Sequence, residues 1–283
     1  MRDYIELTKP RITWLIIMST AVGYYFGHTG TWSLLAMFHT LIGTALIASG
    51  TAALNQWYER VADGQMRRTQ MRPLPSGRLQ PGEALWFGIA LALAGGLELG
   101  LGVNWLAAGL GMATLLMYLF LYTPLKQKTW WSTTVGAVPG AMPPLIGYAA
   151  ASGKLSGAAW VLGAILFFWQ FPHFYAIAWM YREDYSRAGI KMLPVVEPDG
   201  ESTARQILFY SVLLIPISLL PKWMGMTGSI YMVGAIALGL LFLYSGIRVS
   251  LDRTKLRARR VLLASVVYLP ILYCLMVFDP IRL

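Results

Sequence analysis

Across 283 residues there is a single cysteine, Cys274, and it lies inside an apolar run. No intrachain disulfide can form, and a metal site built on several thiolates is excluded. Charge is scarce as well. Asp, Glu, Lys and Arg make up 13% of the chain and apolar residues 57%, against about 25% and about 45–50% in an ordinary soluble domain. A water-facing surface must be covered by polar groups, so a chain this poor in charge points to lipid contact. Also missing is the apolar-polar alternation over about 10 positions that strands of a transmembrane barrel require.

Present instead are nine continuously apolar runs: 12–27, 34–54, 85–103, 105–122, 132–151, 158–180, 206–221, 229–247 and 260–278. In hydrocarbon the backbone must satisfy its own hydrogen bonds, so these runs predict an all-α, polytopic membrane protein with nine transmembrane helices. Arg2, Lys9 and Arg11 precede the first run in the manner of a signal peptide. No small-x-small cleavage site follows Phe26, so the run reads as a retained helix.

With the N-terminus in the cytoplasm, 20 of the 23 Lys and Arg fall on the inner side and only Lys154, Lys222 and Arg282 on the other. The positive-inside rule then predicts N-inside, C-outside. The net charge of +10 reads as a topology signal, and no nucleic-acid partner is expected. Eleven of the 13 acids share the inner face, which predicts chemistry facing the cytoplasm. The absence of a transit-type leader predicts a bacterial cytoplasmic (inner) membrane. Two long inner connections, 55–84 and 181–205, each start in acids and end near Pro. This suggests one domain, 1–283, with two pseudo-repeated halves, roughly 1–128 and 129–283, whose loops overhang one cavity.

The strongest chemical signal is Asn55, Glu59 and Asp63 at i, i+4 and i+8. On a helix they form one stripe of oxygen ligands. Such donors suit Mg²⁺, which is usually held by one or two carboxylates and substrate phosphates. Arg67, Arg68, Arg72 and Arg78 follow at once, and acids beside Arg forks predict a diphosphate site. The same spacing also fits a solvated helix with i, i+4 charge pairs. A second group is Trp169-Gln170-Phe171-Pro172-His173, then Tyr181-Arg182-Glu183-Asp184-Tyr185. A mid-span histidine is either functional or a helix-packing residue. His173 and Asp184, eleven residues or three turns apart, are expected to share a face, and Asp184 is a candidate second metal ligand. Glu98 sits near the outer end of the third run. Ala92, Gly96 and Gly100 read as a close-packing stripe.

Several stretches together resemble the UbiA superfamily of intramembrane prenyltransferases, and within it the protohaem IX farnesyltransferase branch. They are Leu7-Thr8-Lys9-Pro10-Arg11; the block from Asn55 to Leu74; Tyr122-Thr123-x-Leu125-Lys126; Gly140 to Gly147; Trp169-Gln170-x-Pro172-His173-Phe174; and Asp184-Tyr185-x-x-Ala188-Gly189-x-x-Met192-Leu193-Pro194. The resemblance covers nearly the whole chain and implies a UbiA-like bundle around a cytoplasm-facing cavity. It implies transfer of a farnesyl group from farnesyl diphosphate to a vinyl group of haem B, with water added, giving haem O and pyrophosphate. Mg²⁺ is the implied cofactor, held by Asn55, Asp63 and Asp184 with Glu59 in support. Arg67, Arg68, Arg72 and Lys126 are implied to bind the diphosphate, with Lys191 an added candidate. His173 and Tyr181 are implied to border the haem. Membrane lipid and a downstream haem A synthase or terminal oxidase are the further implied partners. A relative with an aromatic or quinone-precursor acceptor, or a transporter, is the alternative.

Overall fold

The computed structural model describes residues 1–28, 30 and 33–281; Arg282, counted above among the outer charges, lies outside them. The described chain is helical throughout, in fourteen segments. They are α1 (Arg2–Leu7), α2 (Pro10–Gly27), α3 (Leu34–Gln65), α4 (Pro81–Gly102), α5 (Trp105–Leu116), α6 (Thr123–Leu125), α7 (Ser132–Gly140), α8 (Met142–Ser152), α9 (Gly157–Met180), α10 (Arg182–Arg187), α11 (Leu193–Val196), α12 (Glu201–Trp223), α13 (Ser229–Leu251) and α14 (Lys255–Phe278). A π-helical stretch, Met117–Tyr122, joins α5 to α6.

Seven helical stretches, not nine, are long and apolar enough to cross a membrane among the described residues: α3, α4, the stretch Trp105–Leu125, α9, α12, α13 and α14. Two expected spans fall short for separate reasons. The run 132–151 is interrupted at Ala141, where Pro143 and Pro144 supply no N–H to carry the helical ladder onward, so it becomes the pair α7 and α8. The run 12–27 does form one helix of 18 residues, α2. It carries Arg11, Thr13, Ser19, Thr20, Tyr24 and Tyr25, which dilute its apolar character.

Close contacts between helices are made by glycine. A Cβ on Gly50 would stand 2.7 Å from the Gly88 carbonyl oxygen, and one on Gly95 would stand 2.6 Å from that of Gly43, so α3 and α4 touch backbone to backbone. This shifts the expected stripe: Ala92 does meet Gly50, but Gly96 faces Met112 and Gly100 faces Trp105. Helices α2 and α8 are tighter still, with Gly147 against the Thr20 carbonyl and Gly23 against that of Pro144.

One apolar cluster gathers Trp169, Phe171, Tyr175, Tyr231, Phe242 and Tyr268 from α9, α13 and α14. Another gathers Ile47, Leu54, Ala92, Leu99 and Leu115 from α3–α5. The connections that follow α3 and α10 both fold onto the C-terminal end of α3. Ala62 and Met66 pack with Ala188, Ile190 and Met192, while Leu7, Ala53, Leu74, Leu79 and Ala84 seat α1 beside the 66–80 segment.

Candidate active site

Helix α3 runs for 32 residues, to Gln65, and so outlasts the apolar run that ends at Leu54. The extension, about 16 Å at 1.5 Å per residue, carries the oxygen stripe as one helical face. Asn55 and Asp63 are almost wholly buried. Asn55 Nδ2 donates to Glu59 Oε2 at 3.0 Å, which fixes the first two members of the stripe on each other.

Each acid in this region meets a cation of the same chain. Arg72 Nη1 donates to both oxygens of Asp63, at 2.8 and 2.7 Å. Lys126 Nζ lies 2.8 Å from Glu59 Oε1 and 4.4 Å from the centre of the Tyr122 ring. Asp184 pairs with Arg187, and its two oxygens accept the backbone N–H groups of Arg67 and Arg68 at 3.3 Å each. In this way the carboxylate on α10 shapes the turn that follows the stripe on α3. Helix α9 ends at Met180 and Tyr181 is non-helical, so Asp184 sits on the separate helix α10 and does not share a continuous face with His173.

The remaining candidates divide. Arg68 stacks over the rings of Tyr181 and Tyr185, at 5.0 and 5.7 Å, which puts Tyr181 beside the basic turn. Arg67 and Arg68 are otherwise exposed, as is Lys191, whose backbone N–H donates to the Lys126 carbonyl at 2.8 Å. His173 stands apart: Nδ1 is 2.8 Å from Ser265 Oγ on α14 and its ring stacks on Trp169. Arg78 leaves the basic cluster altogether and holds Asp3 and Glu6. Glu98 meets His39 at 2.7 Å, a pair that joins α3 to α4. A cavity of about 170 Å³ opens beside Glu59, bordered by Tyr58, Ala62, Thr123, Gln127 and Ile190.

Two residues join the site that the spacing of charges did not single out. Lys9, between α1 and α2, reaches Asn55 Oδ1 at 3.4 Å. Burial lowers its pKa to about 7, assisted by repulsion from Arg72 and Lys126 and offset in part by Glu59 and Asp63. Thr123 lies 3.4 Å from Asn55 Nδ2. Both lay in stretches that carry the family resemblance, and that was their only signal.

No group of three or more His, Cys, Asp or Glu side chains is gathered for a metal among the described residues. The donors at hand are an amide oxygen and carboxylates. They fit a hard cation that takes the rest of its oxygen shell from a phosphate ligand and water.

The profile of the UbiA prenyltransferase family matches residues 16–269. The chain belongs to that family. Among curated UbiA relatives, the protoheme IX farnesyltransferase of Solibacter usitatus is 66% identical over 99% of both chains. That of Salinibacter ruber is 48% identical over 98% of both. Among solved structures, one of digeranylgeranylglyceryl phosphate synthase gives a TM-score of 0.81 at 19% identity, covering 100% of this chain and 99% of the other. A UbiA homologue from Archaeoglobus fulgidus bound to GPP and Mg²⁺ gives 0.74 at 18% identity, covering 97% and 99%. At these identities the two structures establish the UbiA fold: all-α, polytopic and membrane-spanning.

Proposed function

We propose that this UbiA-family protein transfers the farnesyl group of farnesyl diphosphate to a vinyl group of haem B. The C1–O bond of the diphosphate breaks, C1 bonds to the terminal vinyl carbon, and water supplies a hydroxyl to the neighbouring carbon and loses a proton. Haem O and pyrophosphate result. One observation carries the chemistry: the buried stripe Asn55, Glu59 and Asp63 meets Lys9, Arg72 and Lys126 at one end of the bundle. The near-complete likeness to protoheme IX farnesyltransferases supports the choice of donor and acceptor.

Asn55 and Asp63 hold Mg²⁺, with Asp184 as the ligand from the second half and Glu59 in support. Oδ1 of Asp184 accepts from the Arg67 N–H and from Arg187, while Oδ2 keeps a lone pair beyond the one taken by the Arg68 N–H. Bound there, the ion stabilises the charge that grows on the leaving diphosphate. Lys9, Arg67, Arg68, Arg72 and Lys126 neutralise the same oxygens, with Lys191 as a further contact. The prenyl chain belongs between the apolar helices, where scarcity of water protects a cationic C1 from premature capture. Tyr181 and His173 border the haem, and the hydrogen bond between His173 Nδ1 and Ser265 Oγ, whose own proton goes to the Leu262 carbonyl, orients the imidazole.

Helix α2 and the α7–α8 pair add two crossings to the seven long ones, giving nine, with the N-terminus cytoplasmic and the C-terminus outside. The inner-face concentration of Lys and Arg supports this orientation. The location is the cytoplasmic membrane of a bacterium, and the chain forms one domain of two pseudo-repeated halves. Its lipid surroundings and a haem A synthase or terminal oxidase that takes up haem O complete the partners.

The test is mass spectrometry of the haem after the purified protein, in lipid, is incubated with haem B, farnesyl diphosphate and Mg²⁺, beside an EDTA control. A metal-dependent hydroxyethylfarnesyl adduct is expected. Pyrophosphate release without that adduct, or prenylation of an added aromatic acid, would move the acceptor. No diphosphate chemistry at all would restore the transporter.

A further inference from the structure

Arg78 belongs by sequence to the basic run after the acidic stripe, yet its guanidinium points elsewhere. Nη1 donates to Asp3 Oδ1 at 2.5 Å, Nη2 donates to Glu6 Oε2 at 3.0 Å and to the Met71 carbonyl at 2.8 Å, and Nε donates to Ser76 Oγ at 3.1 Å. Nη1 and Nη2 thus tie α1 to the 66–80 segment, while the bonds to Met71 and Ser76 hold the guanidinium in place within that segment. Helix α1 has six residues, far below the length at which a helix holds itself together in water. Its place depends on such anchors, together with buried Leu7 and the Gln56 bond to the Leu7 carbonyl at 2.9 Å.

What α1 holds in place is the backbone two residues on. Lys9 has φ 48° and ψ 61°, and it is the one non-glycine residue with positive φ among those described. A left-handed backbone is strained for any residue with a Cβ, and the residue before a proline is pushed toward extended conformations. The geometry persists because α1 fixes one side and Pro10, the first residue of α2, fixes the other. In that geometry the Lys9 ammonium turns back to Asn55.

We propose that Arg78 is a positioning residue for Lys9: by clamping Asp3 and Glu6 it holds the strained Thr8–Lys9 link, and so keeps the Lys9 ammonium over the diphosphate end of the site. The inference rests on the prenyltransferase reading above. Without the clamp α1 lifts, Lys9 relaxes to an extended backbone, and the ammonium leaves the stripe.

The test is a double-mutant cycle on the full-length protein in lipid nanodiscs, reading the affinity for inorganic pyrophosphate with Mg²⁺ by calorimetry. Lys9→Met and Arg78→Ala are each expected to weaken binding, Arg78→Ala by about 3–10-fold, the scale of two partly exposed ion pairs. The double variant is expected to bind no worse than Lys9→Met, and Arg78→Lys to recover part of the loss. Asp3→Asn with Glu6→Gln, which removes the clamp from its other side, is expected to match Arg78→Ala and serves if that variant does not fold. An unchanged affinity in the clamp variants, or a full Arg78→Ala effect in the Lys9→Met background, overturns the proposal. A wild type that binds no pyrophosphate overturns the prenyltransferase reading instead.

Discussion

Replacing Asp63 by asparagine is the most direct probe of the site. The side chain is 1% exposed and both of its oxygens take a hydrogen bond from Arg72. Asparagine keeps the shape and one acceptor oxygen for Arg72 but removes the charge. Alanine would remove both and leave a guanidinium only 23% exposed without its partner. Stranding one member of a buried pair costs about 3–5 kcal/mol, toward the low end here because water still reaches Arg72. Asparagine leaves the guanidinium without its counter-charge too but keeps one hydrogen bond and the packing, so it avoids only part of that cost, and unfolding measured beside the rate separates the two effects. Loss of one preorganised electrostatic stabiliser typically lowers turnover by about 10²–10³-fold, or about 2.7–4 kcal/mol. We expect a loss of that size, a higher Mg²⁺ requirement and a lower unfolding temperature, the fall being smaller than for Asp63→Ala. The assay is haem mass spectrometry across a Mg²⁺ titration, run beside thermal unfolding in the same lipid. Turnover within about threefold of wild type, less than 1 kcal/mol of transition-state stabilisation, would refute the assignment of Asp63 to the metal and diphosphate.

Lys9 gives a pH prediction. With a pKa of about 7 in the free protein, it is largely neutral above that pH, and an arriving diphosphate favours its protonated form. Binding is therefore expected to take up a proton between about pH 7 and the ordinary lysine value near 10.4, and to weaken as pH rises through that window. Calorimetry in two buffers of different ionisation enthalpy checks this, and Lys9→Met is expected to abolish the uptake. Because the folded pKa lies below the unfolded one, the unfolded chain binds more protons in the same window, so the Lys9 contribution to stability is expected to rise with pH there. His173→Phe is expected to raise the KM for haem about tenfold, or 1.4 kcal/mol, and to leave that for farnesyl diphosphate unchanged; equal changes in both would count against its place at the acceptor. Gly147→Leu drives a side chain into the Thr20 carbonyl, where even a Cβ would stand 1.9 Å away. A loss of about 3 kcal/mol is expected, read as a lower unfolding temperature in detergent.

The free site is already balanced. Asp63, Glu59 and Asp184 are each paired with Arg72, Lys126 and Arg187, which offsets the cost of holding carboxylates among apolar helices. A metal ion and a diphosphate arriving together bring charges of both signs. In the proposed reaction they would exchange partners with these pairs, the acids turning to the metal and the bases to the phosphate, without leaving any group alone.

Composition and local spacing alone determined that the chain lives in a membrane, that it is helical, and that Asn55, Glu59 and Asp63 share a face. Hydrocarbon permits few backbone solutions, and the helical repeat fixes which residues align. Of the two expected spans that fall short, 132–151 does so because Pro143 and Pro144 break a run whose side chains are apolar enough to suggest a span. Hydropathy registers side chains, and the break lies in the backbone. Only the tertiary structure decided the partners. Arg78 looked like one more phosphate ligand, but it holds α1, because Asp3 and Glu6 return to it from 75 and 72 residues away. Lys9 entered the site through a left-handed turn, and Asp184 came to cap the Arg67–Arg68 turn across 117 residues. Pairings over such distances depend on how helices pack against one another, and in this bundle that is set by where glycine lets two backbones touch.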